Sequence, residues 1–186
     1  MLRSVLDQVQ HLTRISDQLL LIARADAGEL HPEMENIDVV DFIHELAFPL
    51  QAAAESRRLE FAVEVPDAGE LRADPELTRR AIDNLLDNAF RYAPELSKVG
   101  LEVRQDGSGW IFEVSDEGPG VPADQRERIF ERFARGDSAR TRSGGGAGLG
   151  LALSSAIATA QGGSLELTDR PGPGATFRLR LPSHAE

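Results

Sequence analysis

Cysteine is absent from the 186 residues. Disulfides, thiolate metal sites and a cysteine nucleophile are therefore excluded, and the chain is compatible with a reducing cytoplasm. Long apolar runs are missing too: none approaches the roughly 20 residues that cross a bilayer, and no secretory signal is read at the start. Basic residues are in deficit, with 20 Lys+Arg against 31 Asp+Glu and a net charge of −11. Nucleic acid as the main partner is argued against, because a phosphate backbone calls for a basic face. A single nucleotide is not excluded, since its charge can be met locally by a metal ion, a few arginines and backbone N–H groups. The 4 histidines, at positions 11, 31, 44 and 184, are scattered and form no metal-ligand pattern.

The length suits one ordinary domain plus an appendage. Residues 2–27 read as one amphipathic helix, with Leu2, Val5, Val9, Leu12, Ile15, Leu19 and Ile22 at steps of three and four. Gly28 stands where a helix C-cap belongs. This stripe is longer than one docked helix needs, which favours pairing with another helix or chain. A polar link at 31–36 leads into the globular part, 37–186. A helix is expected over 39–57, with Pro49 as a possible kink. Leu59, Phe61, Val63 and Val65 alternate as a half-buried strand. Asp74-Pro75-Glu76 signals a helix start, and that helix continues to about Tyr92. Strands are expected at 101–104 and 110–114, around the turn residues Asp106-Gly107-Ser108-Gly109. Helix returns over 149–160, and strands at 164–167 and 176–181 close a last hairpin. The intervening Gly-, Arg- and Ser-rich stretch, about 121–147, suits a loop that covers a site.

Four separated motifs lie on this frame. In the helix after Pro75, Asn84, Asn88, Arg91 and Tyr92 fall at i, i+4, i+7 and i+8 and share one stripe. An amide oxygen can bind Mg²⁺ without adding charge; alone, the stripe also reads as a solvated helix edge. Asp116-Glu117-Gly118-Pro119-Gly120 follows an apolar strand. A carboxylate there can accept from the exocyclic amino group of adenine, and Gly118 and Gly120 let a base approach the backbone. Phe130-Glu131-Arg132-Phe133 comes third, its aromatics suited to anchoring the loop on apolar surface. Gly146-Ala147-Gly148-Leu149-Gly150 then opens a helix, where exposed N–H groups and the helix terminus favour a triphosphate. It is neither a P-loop nor a Rossmann turn, because no Gly-Lys-Ser/Thr follows and no strand immediately precedes it. Of Arg135, Arg140 and Arg142 upstream, Arg142 is the candidate to meet γ-phosphate charge.

In this order the motifs resemble the N, G1, F and G2 boxes of the sensor histidine kinase ATP-binding domain, within the superfamily shared with type II topoisomerases, Hsp90 and mismatch-repair ATPases. The resemblance spans about residues 35–183. It implies an α+β fold of two layers, a mixed, mostly antiparallel sheet covered on one face by helices (Bergerat type), plus an N-terminal helix. It implies ATP and Mg²⁺ as cofactors, with Asn88 on the metal, Asn84 in support, Arg91 near phosphate, Tyr92 near adenine and Thr176 supporting Asp116 through its hydroxyl. Residues 1–30, with Leu19-Leu20-Leu21-Ile22-Ala23-Arg24-Ala25-Asp26-Ala27-Gly28, resemble the second helix of the dimerisation hairpin.

Hydrolytic members of the superfamily carry a Glu one turn before the metal-binding Asn. Asn84 occupies that position here, and an amide cannot take a proton at neutral pH. Imidazole is already a competent nucleophile near neutrality, so Asn84 favours phosphotransfer to histidine. The acceptor box, Ser-His-Glu-Leu-Arg-Thr-Pro-like, does not occur in the chain; His11 is followed by Leu-Thr-Arg. The expectation is the catalytic part of a longer, membrane-bound sensor's cytoplasmic portion. Its partners would be ATP, the hairpin that carries the acceptor and a response regulator receiver domain. It would be a homodimer when full-length and associate weakly or non-natively as it stands. A hydrolytic ATPase and a nucleotide-binding or dimerisation module without catalysis are the alternatives.

Overall fold

The computed structural model describes residues 2–134, 147–169 and 172–183, with side chains in the first helix described at Gln8, Val9 and from Leu12 onward. The first helix, α1 (Leu2–Asp26), ends as its sequence requires. Gly28 adopts a positive φ of 70°, and the Glu29 N–H closes back on the Arg24 carbonyl at 2.8 Å. α2 (Val39–Ser56) runs through Pro49 and is capped by Asp38, whose carboxylate accepts from the Val40 and Asp41 N–H groups. α3 (Pro75–Tyr92) begins on Asp74, which accepts from the Leu77 N–H at 2.9 Å. α4 (Gly150–Ala160) completes the helical layer.

Two short strands lie where none was expected. β1 (Glu35–Asp38) and β3 (Glu70–Ala73) pair antiparallel as a separate ribbon. The polar link therefore ends inside a strand, at Glu35 and Asn36. The ribbon is tied to the main sheet by the Trp110 indole N–H, which donates to the Glu70 carbonyl at 3.0 Å.

The main sheet has the order β2 (Glu60–Glu64), β4 (Lys98–Asp106), β5 (Gly109–Asp116), β7 (Thr176–Pro182), β6 (Ser164–Leu167). Only β2 and β4 run parallel; the other pairs are antiparallel. This is the expected α+β sandwich with a mostly antiparallel sheet. The 106–109 turn is closed by Asp106, whose Oδ1 accepts from the Ser108 N–H at 2.9 Å and the Gly109 N–H at 3.1 Å.

Register sorts the residues cleanly between faces, since opposed residues point the same way. Val103, Phe112, Leu179 and Leu165 form one row, and Leu101, Val114, Phe177 and Leu167 the next. These rows meet α3 and α4, whose Ile82, Leu85, Leu86, Leu153 and Ile157 are buried against them. The opposite face carries Glu102, Glu113, Arg178 and Glu166 in one row. There Arg178 bridges Glu113 at 2.5 Å and Glu166 at 3.0 Å, and Arg104 lies 3.5 Å from both Glu102 and Glu113. One face thus packs helices; the other is an ionic ladder in water.

Candidate nucleotide-binding site

Asp116 is the last residue of β5 and falls on the helix-covered face, next to Val99 of β4. It is 4% exposed, and its Oδ1 accepts from the Gly118 N–H at 2.8 Å. Gly118 has no room for a side chain: a Cβ there would stand 2.7 Å from Asp116 Oδ1 and 2.8 Å from the Tyr92 carbonyl oxygen. The end of α3 is thereby brought against the Asp116 turn. At the other end of the same stripe, a Cβ on Gly150 would lie 3.6–3.7 Å from the Asn84 side chain. Asn84, Asn88, Arg91 and Tyr92 therefore run along α3 from the start of α4 to the Asp116–Gly118 turn. Arg91 is exposed; Asn84, Asn88 and Tyr92 are half-buried.

At the start of α4 the N-cap, Leu149, makes no side-chain capping bond, and the first N–H groups of such a helix suit an anion. The Leu149 side chain is itself buried at 1% exposure, leaving only its backbone to the site. Gly148 has φ 72° and its carbonyl accepts from the Phe133 N–H at 2.9 Å, which docks the Phe-Glu-Arg-Phe segment on the glycine run. Ala147 is half-buried beside it; Gly146, Arg135, Arg140 and Arg142 lie outside the described residues.

Two expectations need correction. Thr176 pairs with Ser115, so the pleat sends both side chains to the open face, while Asp116, the next residue, points to the helices. Thr176 lines a shallow groove there with Ser115, Gly100 and Lys98, and its hydroxyl is on the wrong side to support Asp116. Phe133 does not anchor the loop: it has φ 61° and is 60% exposed. Phe130 does, set edge-on to Phe177 with centroids 6.4 Å apart. The described part of the loop holds two short 3₁₀ turns, Ala123–Gln125 and Arg128–Phe130.

No site role is read for Gly174 in the sequence, yet a Cβ there would fall 1.8 Å from the Asp116 carbonyl oxygen. Its place just before β7, after Pro173, was the available signal. Nothing in the sequence marks Gln18, whose Nε2 donates to Asn84 Oδ1 at 3.5 Å.

The carboxylate beside the asparagine stripe does not replace a missing base. Asp83 sits about 100° around α3 from Asn84. Burial raises its pKa, with Arg79 opposing and Asp87 adding to the rise. Arg79 in turn stands over the Phe42 ring of α2 at 5.3 Å, so Asp83 belongs to the α2 side. Among the described residues no group of three or more His, Asp or Glu could hold a metal. The donors that remain are amides, which fits an Mg²⁺ ion carried largely by a nucleotide's phosphates. No helix among the described residues is long and apolar enough to cross a membrane.

Residues 73–185 match the family of histidine kinase-, DNA gyrase B- and HSP90-like ATPases. The chain belongs to this family. It is 36% identical over 184 residues to the sensor protein IrlS of Burkholderia pseudomallei, covering 99% of this chain and 39% of that protein. To the sensor-like histidine kinase SenX3 of Mycobacterium tuberculosis it is 34% identical over 182 residues, covering 98% of this chain and 44% of that one. The chain thus spans about two-fifths of the length of these relatives. Among solved structures, the histidine kinase AdeS of Acinetobacter baumannii superposes with a TM-score of 0.83 at 21% identity, covering 99% of this chain and 84% of that one; at this identity the likeness is one of fold. Full-length ShkA in complex with AMPPNP gives a TM-score of 0.78 at 28% identity, covering 97% of this chain and 38% of the other.

Proposed function

We propose that this chain is the ATP- and Mg²⁺-binding catalytic portion of a sensor histidine kinase, residues 37–186, preceded by the second helix of a dimerisation hairpin. The observation that carries this reading is a convergence. The start of α4 lies beside Asn84 at one end of the amide stripe of α3, and the other end of that stripe abuts the turn of the buried Asp116 carboxylate, in a chain of the histidine kinase-like ATPase family.

In this reading Asp116 accepts from the adenine amino group, Tyr92 flanks the base, and Gly118 and Gly120 form the pocket floor. Backbone N–H groups of Gly146 to Gly150 and the guanidinium of Arg91 face the phosphates, with Arg142 meeting γ-phosphate charge. Asn88 holds Mg²⁺ and Asn84 supports it; the ion would neutralise phosphate charge. The γ-phosphoryl group passes to a histidine outside this sequence and then to an aspartate of a response regulator. Catalysis comes from positioning and electrostatics. Hydrolysis is disfavoured because Asn84 offers no base where water would be activated. The full-length protein would be a homodimer, with this portion in the cytoplasm.

Calorimetric titration with a non-hydrolysable ATP analogue, with and without Mg²⁺, tests the site. The unaltered chain should bind saturably, and Asp116→Asn should weaken binding by about tenfold or more, as loss of a charge-assisted hydrogen bond implies. Absence of binding, or an Asp116→Asn affinity equal to that of the parent, would sink the proposal.

A further inference from the structure

α1 presents two faces to two environments. Ile22 is buried at 2% exposure and Ile15 and Leu21 pack beside it on the core, whereas Leu12 and Leu20 are 64% and 63% exposed. At 100° per residue, Ile15, Gln18, Ile22 and Asp26 share the docked face. Among the described residues, two polar contacts leave that face for elements of the candidate site. Gln18 Nε2 donates to Asn84 Oδ1, and Asp26 pairs with Arg132 of the Phe-Glu-Arg-Phe segment. Between them the interface is loose: a groove of about 590 Å³ runs beside Ile22, Phe130, Ala152 and Ala156. Among the described residues, docking of α1 therefore rests on a short apolar seam and these two contacts.

While α1 is docked, Gln18 draws the Asn84 amide oxygen towards α1 through a long contact of 3.5 Å. Turning that oxygen towards a metal ion on the phosphates stretches this contact further. Arg132 is likewise a cation next to the glycine run, and its charge is answered by Asp26 while α1 is docked. We propose that α1 is a built-in competitor of the metal–nucleotide complex, with Gln18 a positioning residue that acts through Asn84. The inference rests on the proposed nucleotide reading. It adds that α1 docking and Mg²⁺–nucleotide binding are negatively coupled, a coupling that must be reciprocal.

The test is titration of the full chain, Gln18→Ala and Asp26→Asn with a non-hydrolysable ATP analogue and Mg²⁺. Gln18→Ala should bind about threefold more tightly, the scale of one long neutral hydrogen bond, and Asp26→Asn somewhat less so, as an exposed ion pair implies. In the parent chain, saturating nucleotide should speed amide hydrogen exchange over residues 15–26, a change that a merely structural contact would not produce. Unchanged or weaker binding by Gln18→Ala, or exchange that is unaltered or slowed, overturns the coupling and leaves nucleotide binding standing. No saturable binding by any of the three proteins overturns both.

Discussion

The two faces of the five-stranded sheet solve the same problem by different physics. The face under α3 and α4 buries Trp110, Phe112, Leu101 and Leu179 at 1% exposure or less. The other face is held by Arg178 and Arg104 strung between Glu102, Glu113 and Glu166. Burial of apolar area is non-directional and large, while ion pairs near water are geometrically exacting and weak. The site follows the first face: Asp116 sits at the end of a row that begins Phe61–Val99, so the candidate residues gather on the side that packs the helices. What lies on the open face, Thr176 included, is placed to solubilise the sheet.

The largest effect expected from this contrast is on the covered face. Phe112 is 0% exposed, and Phe112→Ala should cost about 3–5 kcal/mol of unfolding free energy, since it opens a cavity that rigid neighbours cannot fill. Urea denaturation followed by circular dichroism measures it. A loss under about 1 kcal/mol would mean that the two faces are energetically alike, and the comparison would fail.

Such a contrast was partly legible beforehand. The helices, the strands of the main sheet and the Asp74 and Gly28 caps all followed from local periodicity and capping chemistry. The β1–β3 ribbon did not, because strands of four residues bury one or two side chains each (Ile37; Leu71 and Ala73) and their pairing is non-local. Periodicity also merged what the fold divides. Leu12, Ile15, Leu19 and Ile22 read as one stripe, yet Ile22 is buried while Leu12 and Leu19 are exposed; only the position of α4 decides which side of the stripe is covered. Thr176 was misassigned because residue type identifies a hydroxyl, whereas strand register fixes the face it occupies. Phe133 was misassigned because an aromatic's apolar surface suggests burial, whereas it stands 60% exposed at a positive φ. In the cleft, the elements bearing Asn84, Tyr92, Asp116 and Gly150 could be named from spacing; that Gln18 also reaches Asn84 required the packing of α1.

On the open face the middle of the ladder should matter moderately. Arg178 touches both Glu113 and Glu166, and Glu113 is only 14% exposed in its side chain. Arg178→Ala should cost about 1 kcal/mol, with Arg104 still at hand for Glu113. The loss should shrink in high salt, because screening weakens the pairs that the parent enjoys. An effect as large as that of Phe112→Ala would assign the open face a structural weight equal to the core's.

The smallest effect is at the ladder's end, and it carries its own pH signature. Asp106 receives the Ser108 hydroxyl at 2.6 Å, Arg180 at 2.5 Å and the Ser108 N–H at 2.9 Å. These donors, the hydroxyl foremost, hold its carboxyl well below the usual carboxylate range. A depressed folded-state pKa means that the charged form stabilises the fold. That contribution is complete above the unfolded value of about 3.9 and is lost as pH falls through the lower folded value. Asp106→Asn keeps an oxygen for the turn but gives up the charge facing Arg180. The variant should therefore melt slightly below the parent at neutral pH, with the gap closing as pH drops below about 4. Thermal melts of both proteins across that range decide the matter: a gap that stays constant with pH would show that Asp106 acts only as a neutral turn acceptor, not as the charged end of the ladder.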